Sequence, residues 1–165
     1  MNRQFLLILL GSVAVIGLVV FGLVKENQAT VIQLNGAVKG ARLVELGDGS
    51  TLAMVDFEAT NPSKIGFELN QVEIEAHVGK DTLPSTLFSK YDLENYLQFQ
   101  KYTPKFAQIG LGEQIKAGET AKRMVAARFE VLMPALKDAQ FVVRLTNVNH
   151  VVAELKPEDK KGKKR

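Results

Sequence analysis

Apolar residues run without interruption from Phe5 through Val24, and the pattern then changes character. The run, FLLILLGSVAVIGLVVFGLV, contains no charge, and Ser12 is its only hydroxyl. Twenty residues at about 1.5 Å rise per residue span roughly 30 Å, the hydrocarbon thickness of a bilayer. Beyond it the period is two, the signature of strands with one buried face. In the segment from Thr51 to Asn61, Ala53, Val55, Phe57 and Ala59 alternate with Asp56, Glu58 and Thr60. From Phe67 to Val78, the residues Val72, Ile74, Ala76 and Val78 alternate with Gln71, Glu73, Glu75 and His77, and Leu69 is expected to face the other way. From Arg123 to Val131, Val125, Ala127, Phe129 and Val131 point one way and Arg128 and Glu130 the other. From Gln140 to Val148, Phe141, Val143 and Leu145 form the inner row.

Turn chemistry separates these runs. Gly47-Asp48-Gly49-Ser50 reads as a hairpin turn, because Asp-Gly reaches positive φ cheaply. Gly79-Lys80-Asp81 and Ala117-Gly118-Glu119 end strands in the same way, and Asn147-Val148-Asn149-His150 reverses the chain into a last strand over 151–155. One segment departs from the pattern. Ser89 with Asp92 three residues later resembles a capping box, and Leu93, Tyr96 and Leu97 recur at helical spacing. The spacing predicts a short helix over 90–98, followed by an irregular stretch to Gln114. The expected class is all-β: an immunoglobulin/fibronectin-III-like antiparallel β-sandwich with a short helical insert, preceded by one transmembrane helix. The expected division is an anchor at 1–25, a juxtamembrane linker or first strand at 26–37, the sandwich at 38–156 with its insert at 89–114, and a disordered basic tail at 157–165.

The apolar run is longer than the 7–15 residues or so of a signal-peptide core, and Asn27-Gln28-Ala29 is a poor cleavage site. It reads as an uncleaved signal-anchor; cleavage near Thr30 is the alternative. Glycines 11, 17 and 22 form no GxxxG face, so the run is an anchor rather than an association motif. Arg3 lies before the run and Lys25 just after it, which orients it weakly. A short N-terminal tail and a C-terminal domain place that domain outside the cytosol, periplasmic or extracellular.

Charge narrows the partners. The chain carries a net charge of +3, yet Lys25 to Lys156 holds 15 basic and 16 acidic residues, so the surplus sits in Arg3 and the tail PEDKKGKKR. A near-neutral domain argues against a nucleic-acid face. The tail is a basic, solvated segment suited to anionic lipid or envelope polymers, or simply to solubility. The lipid bilayer is thus the first partner, through the segment from Phe5 to Val24, and a protein partner the second.

The stretch Val55-Asp56-Phe57-Glu58-Ala59-Thr60-Asn61-Pro62-Ser63, followed by Phe67-Glu68-Leu69-Asn70-Gln71-Val72, resembles the late-embryogenesis-abundant type 2 family, also called the water-stress/hypersensitive-response (WHy) domain. The later Ile115-Lys116-Ala117-Gly118-Glu119-Thr120 resembles the turn before a strand in such extracellular sandwiches. The resemblance spans about Val38 to Leu155. It implies a fibronectin-type-III-like sandwich without enzymatic activity, a link to stress tolerance, and a single N-terminal span. The corner Asn61, Pro62, Ser63 has its own logic. Proline fixes φ and donates no hydrogen bond, so it ends a ladder, and the asparagine amide satisfies nearby backbone. The expected role is architectural.

Little in the chain points to catalysis. No cysteine and two histidines leave scant material for thiol or metal chemistry, and no GxSxG or phosphate-binding glycine loop is present. Glu73, Glu75 and His77 share one outward row, and Asp56 and Glu58 form a second. Such groups ligate metal only where their strands converge; charged residues alternate outward on any sandwich strand. A metal-dependent or carbohydrate-active enzyme is the remote alternative, and no cofactor is expected. The better site candidate is the aromatic insert, with Tyr91, Tyr96, Phe99, Tyr102 and Phe106. It either docks a partner, making the chain an accessory subunit of a membrane complex, or caps the open end of the sandwich with its rings buried.

Overall fold

The computed structural model describes residues 16–18, 32–99 and 103–158. Residues 16–18 are helical, and the rest of the apolar run and the tail from residue 159 lie outside the described residues. Among the described residues no helix is long and apolar enough to cross a membrane.

The described residues form nine strands: β1 (Asn35–Glu45), β2 (Thr51–Thr60), β3 (Phe67–Val78), β4 (Asp81–Pro84), β5 (Thr86–Leu87), β6 (Gln114–Ile115), β7 (Thr120–Phe129), β8 (Gln140–Asn147) and β9 (Val152–Pro157). Two helices interrupt them, α1 (Lys90–Phe99) and α2 (Met133–Leu136). The strands form one sheet in the order β4-β3-β8-β9-β1-β2-β7-β5, with β6 added to β3. Neighbours are antiparallel except β1 and β9, which run parallel through Ala37↔Lys156 and Val38↔Pro157. That short parallel join links two halves of the sheet, β4-β3-β8-β9 and β1-β2-β7-β5. The sheet is rolled nearly closed, so the chain is all-β, and its halves bury their inner rows against each other. Val55, Phe57, Val125 and Phe129 share one cluster with Ile74, Phe141, Val143, Leu145 and Leu155. Phe129 and Phe141 meet edge to face, 5.9 Å between ring centres.

Two β-bulges alter the expected pattern. On β3 the register shifts between Leu69 and Gln71, which resets the alternation. Leu69 therefore faces the same core as Val72 and Ile74, against the sequence expectation, and is 2% exposed. On β1 the register shifts between Val38 and Gly40. This strand has no clean alternation, and the sequence placed only a linker or first strand near it. Gly36 on β1 is obligatory for a steric reason: a Cβ there would stand 2.1 Å from the Glu58 carbonyl oxygen on β2.

The helical insert sits elsewhere than at an open end. Leu52 and Met54 on β2, with Met124 and Ala126 on β7, form an apolar patch on the outer face of that half. α1 covers the patch with Leu93 and Leu97, while Phe88, Tyr96 and Phe106 pack at the margin. Of the two roles the sequence left open for the insert, the cap over the sandwich end is thus corrected to a cover over a sheet face. The helix starts where its N-cap directs. The Ser89 hydroxyl donates to Asp92 Oδ2 at 2.6 Å and accepts from the Asp92 N–H at 3.1 Å.

Candidate functional site

The Asn61 corner is built entirely of internal hydrogen bonds. Asn61 is fully buried. Its backbone N–H donates to the Glu119 carbonyl at 2.9 Å, and the Gly118 N–H donates back to the Asn61 carbonyl at 2.8 Å. Its Nδ2 donates to the carbonyls of Ile65 at 2.8 Å and Ile115 at 2.9 Å. Its Oδ1 accepts from the Ser63 N–H at 3.0 Å and from the Ser63 hydroxyl. The side chain therefore ties the β2–β3 connection to β6, and no donor or strong acceptor position is left for a ligand. Pro62 stands exposed beside it.

The insert leaves from the edge of β7 and comes back to it. Thr86 and Leu87 pair with Arg128 and Ala127. The Phe88 N–H then donates to the Ala126 carbonyl at 2.9 Å. On the return, the Met124 N–H donates to the Ala107 carbonyl and the Ile109 N–H to the Met124 carbonyl, both at 2.9 Å. Gln108 fastens the two legs, its Nε2 donating to the Phe88 carbonyl at 2.8 Å. The insert thus covers an edge that would otherwise be a template for pairing. Of its five aromatic candidates, Tyr96 and Phe106 are half-buried against the outer patch, and Lys105 lies 5.1 Å over the Phe106 ring. Tyr91 is 73% exposed. The Phe99 side chain and Tyr102 lie outside the described residues. The structure therefore gathers two rings on the sheet and leaves one in solvent.

The two acidic rows face away from each other, on the outer faces of opposite halves. On β3, Glu75 pairs with Arg144 across the strand and with His77 Nε2 at 3.2 Å. Arg144 also reaches Glu154 at 3.3 Å, and Lys156 meets Glu154 at 3.1 Å, so the row is a ladder of opposite charges. On β2, Glu58 lies 3.7 Å from Lys122. Burial pushes the neighbouring Asp56 carboxyl above its ordinary value, and Arg42 and Lys105 pull it partly back. Among the described residues no three His, Asp or Glu side chains are grouped to hold a metal ion.

One concavity is a feature that the periodicity did not foretell. β9 ends at Pro157, level with Val38, and beyond that point β1 pairs only with β2 among the described strands. A cleft of about 380 Å³ opens between β1 and β8. Val38, Leu43, Leu136 and Phe141 supply apolar lining, and Lys39, Lys137 and Glu158 ring its mouth. Lys39 and Glu158 form an ion pair there, which raises the Lys39 pKa above its ordinary value. The seam depends on a parallel join between segments about 119 residues apart, and no local pattern encodes such a join.

No protein-family model matches this chain, and no curated protein matches it. Among solved structures, the archaellum periplasmic stator protein FlaG from Sulfolobus acidocaldarius is similar at a TM-score of 0.33 and 9% identity, over 76% of this chain and 99% of that one. At that TM-score the likeness assigns neither a fold family nor a function.

Proposed function

We propose that this chain is a membrane-anchored, non-enzymatic envelope module. The segment from Phe5 to Val24 holds it in a lipid bilayer, and an immunoglobulin/fibronectin-III-like sandwich faces the non-cytosolic side as an interaction unit. The observation that carries this reading is the point where the chain enters the rolled sheet. Ile32 packs against the core and Leu34 is buried in it. Only seven residues, Lys25 to Val31, separate the apolar run from that packing. Seven residues reach at most about 25 Å. The non-enzymatic part draws support from the polar groups that could carry chemistry: Asn61 is saturated by backbone and the Ser63 hydroxyl, Glu75 is held by Arg144, and the acidic rows diverge. The water-stress/hypersensitive-response type, with its link to stress tolerance, belongs to the same proposal and rests on the Asn61-Pro62 corner.

Anchor deletion tests it. A chain lacking residues 1–24 is expected to be soluble and to melt as a folded domain, while the full chain sediments with membranes and is digested only by protease added on the non-cytosolic side. A mature protein starting near Thr30 would contradict the anchor.

A second reading, an accessory subunit of a membrane complex, is favoured by the seam more than by the insert. An extended segment of a partner, laid along β1 from Gly40 to Glu45, would continue the sheet and set apolar side chains against Leu43, Leu136 and Phe141. Leu43 also packs against the inner core, so Leu43→Lys is expected to lower the melt while the protein still unfolds cooperatively, and to abolish partner capture by the protein at temperatures where it is folded; Tyr91→Ala is expected to leave capture unchanged. The reverse outcome returns the docking role to the insert.

A further inference from the structure

The two ends of the rolled sheet differ in what they expose. At the end where β1 begins, four apolar side chains stand in solvent: Ile65 at 43%, Leu111 at 70%, Val148 at 47% and Val152 at 56% exposure. Their shared location follows from the pairing. Asn35, the first residue of β1, pairs with Thr60, so the connection carrying Ile65 departs beside the entering chain. The Leu111 turn is tied to the start of β3, the Gly112 N–H donating to the Leu69 carbonyl at 2.8 Å. The Val148 turn is tied to the residue before, its N–H donating to the Glu68 carbonyl at 3.1 Å. Val152 follows that turn as the first residue of β9. Exposed Lys64 lies in the connection that carries Ile65, and exposed Lys116 lies in the β6–β7 turn, which the Gly118 N–H ties to the Asn61 carbonyl at this end, with exposed Glu68 as a neighbouring acid. At the other end, among the connections after β1, β3 and β7, Leu132 is the large apolar side chain exposed among the described residues.

The chain leading to the apolar run leaves from the first of these ends. Its seven-residue tether reaches at most about 25 Å, whereas a strand of ten residues is about 34 Å long. The apolar end therefore stays near any bilayer that holds the run, and the Leu132 end cannot take its place while the domain stands upright. We propose that the Ile65, Leu111, Val148 and Val152 loops seat in the headgroup–acyl boundary of the bilayer that holds the anchor. The apolar tips enter the boundary, and Lys64 and Lys116 lie at headgroup level, the arrangement of a shallow interfacial contact. The rolled sheet then stands end-on, with the seam and the Tyr91 side directed away from the membrane plane. This inference rests on the anchored reading above.

The chain contains no tryptophan, so one introduced tryptophan is a clean reporter. Leu111→Trp, Val148→Trp and Leu132→Trp, each in the full chain, are reconstituted into phosphatidylcholine–phosphatidylglycerol vesicles carrying bromine near the carbonyl end of the acyl chains. Circular dichroism confirms the fold of each, and flotation confirms that the chain is vesicle-bound. Tryptophan at 111 and 148 is expected to emit at shorter wavelength and to lose emission to bromolipid, while tryptophan at 132 keeps its emission and is quenched by aqueous iodide. Unquenched emission at 111 and 148 in floated vesicles overturns the seating and leaves the anchor standing. Equal bromolipid quenching at 132 overturns the end-on orientation. A chain that fails to float overturns the anchored reading, and the seating with it.

Discussion

Beneath the two faces of β2 lie two apolar clusters of different make. The inner one joins Leu34 to Leu155 and draws on both halves of the sheet, so its contacts exist only once distant segments have met. The outer one is smaller and assembles the stretch from Val44 to Met54 with the insert and with Met124 and Ala126. β2 serves both. Its first five residues are buried on both faces, and only from Asp56 onward does a buried residue alternate with a half-buried one. A strand can thus be a two-sided core element over half its length and a one-sided one over the rest. The inner cluster makes the fold, and the outer one fastens the aromatic insert to a sheet that is already complete.

Phe57 separates the two most sharply. Fully buried in the inner cluster, it is expected to cost about 3–5 kcal/mol when replaced by alanine, read by thermal or urea melts. A neutral Phe57→Ala would show that the inner face of β2 is misassigned. Leu93→Ala should cost less, near the lower limit of about 2 kcal/mol for such changes, because α1 can settle onto the exposed margin of the patch. Its larger effect should be local: faster proteolysis between residues 88 and 106 with β3 and β8 still protected. Equal costs for Leu93→Ala and Phe57→Ala, with loss of protection everywhere, would merge the two clusters into one cooperative core.

Asn61→Ala belongs to neither cluster. It takes the Nδ2 donor from the Ile115 carbonyl and strands the Ser63 N–H, while the Ser63 hydroxyl still reaches the Ile65 carbonyl at 2.8 Å, at an expected cost of about 1–3 kcal/mol. Asn61→Asp keeps the acceptor and loses the two Nδ2 donations, so it should rescue little; full rescue would move the weight of the corner to Ser63.

The smallest expected effect is one of pH. Burial raises the Asp56 pKa, so the folded state holds that proton more tightly than the unfolded chain. Its stabilising contribution is complete below the ordinary carboxylate value of about 4 and is lost as pH rises through the raised folded value. Asp56→Asn should therefore gain slightly in stability at pH 7 and flatten the profile between pH 4 and neutrality, in urea melts taken across that range. Asp48 has the opposite sign. Hydrogen bonds from Ser50 lower its pKa, so its contribution is present at neutral pH and disappears on acidification through the lowered value. A steeper profile in Asp56→Asn would mean that Arg42 and Lys105 outweigh desolvation there.

Much of the fold was legible because β2, β3, β7 and β8 each keep a buried row at period two, and the turns use residues that tolerate their geometry. Gly49, Gly79 and Gly118 all sit at positive φ, where the sequence had placed turns. The N-cap of α1 was legible for the same local reason. What was lost had non-local causes. Bulges at Lys39 and Asn70 break the count of two, hiding β1 and turning Leu69 inward. The seat of the insert was present as a signal in Leu52 and Met54, apolar at the even positions of β2, but reading it required knowing that β7 would offer Met124 beside them. The seam between β1 and β8 follows from where β9 stops, which only the closed sheet reveals. Helical spacing placed Leu93 and Leu97 on one face with Tyr96, one of the residues singled out for partner binding, and all three pack on the outer patch. It had no means of telling that the face would meet a sheet.

Anchorage by the segment from Phe5 to Val24 is tested most directly by extracting membranes that contain the full chain with alkaline carbonate. The protein is expected to remain in the pellet intact from its N-terminus, and to pass into the supernatant when residues 1–24 are deleted. Release of the full chain by alkali, or a pelleted protein that has lost those residues, would contradict the account.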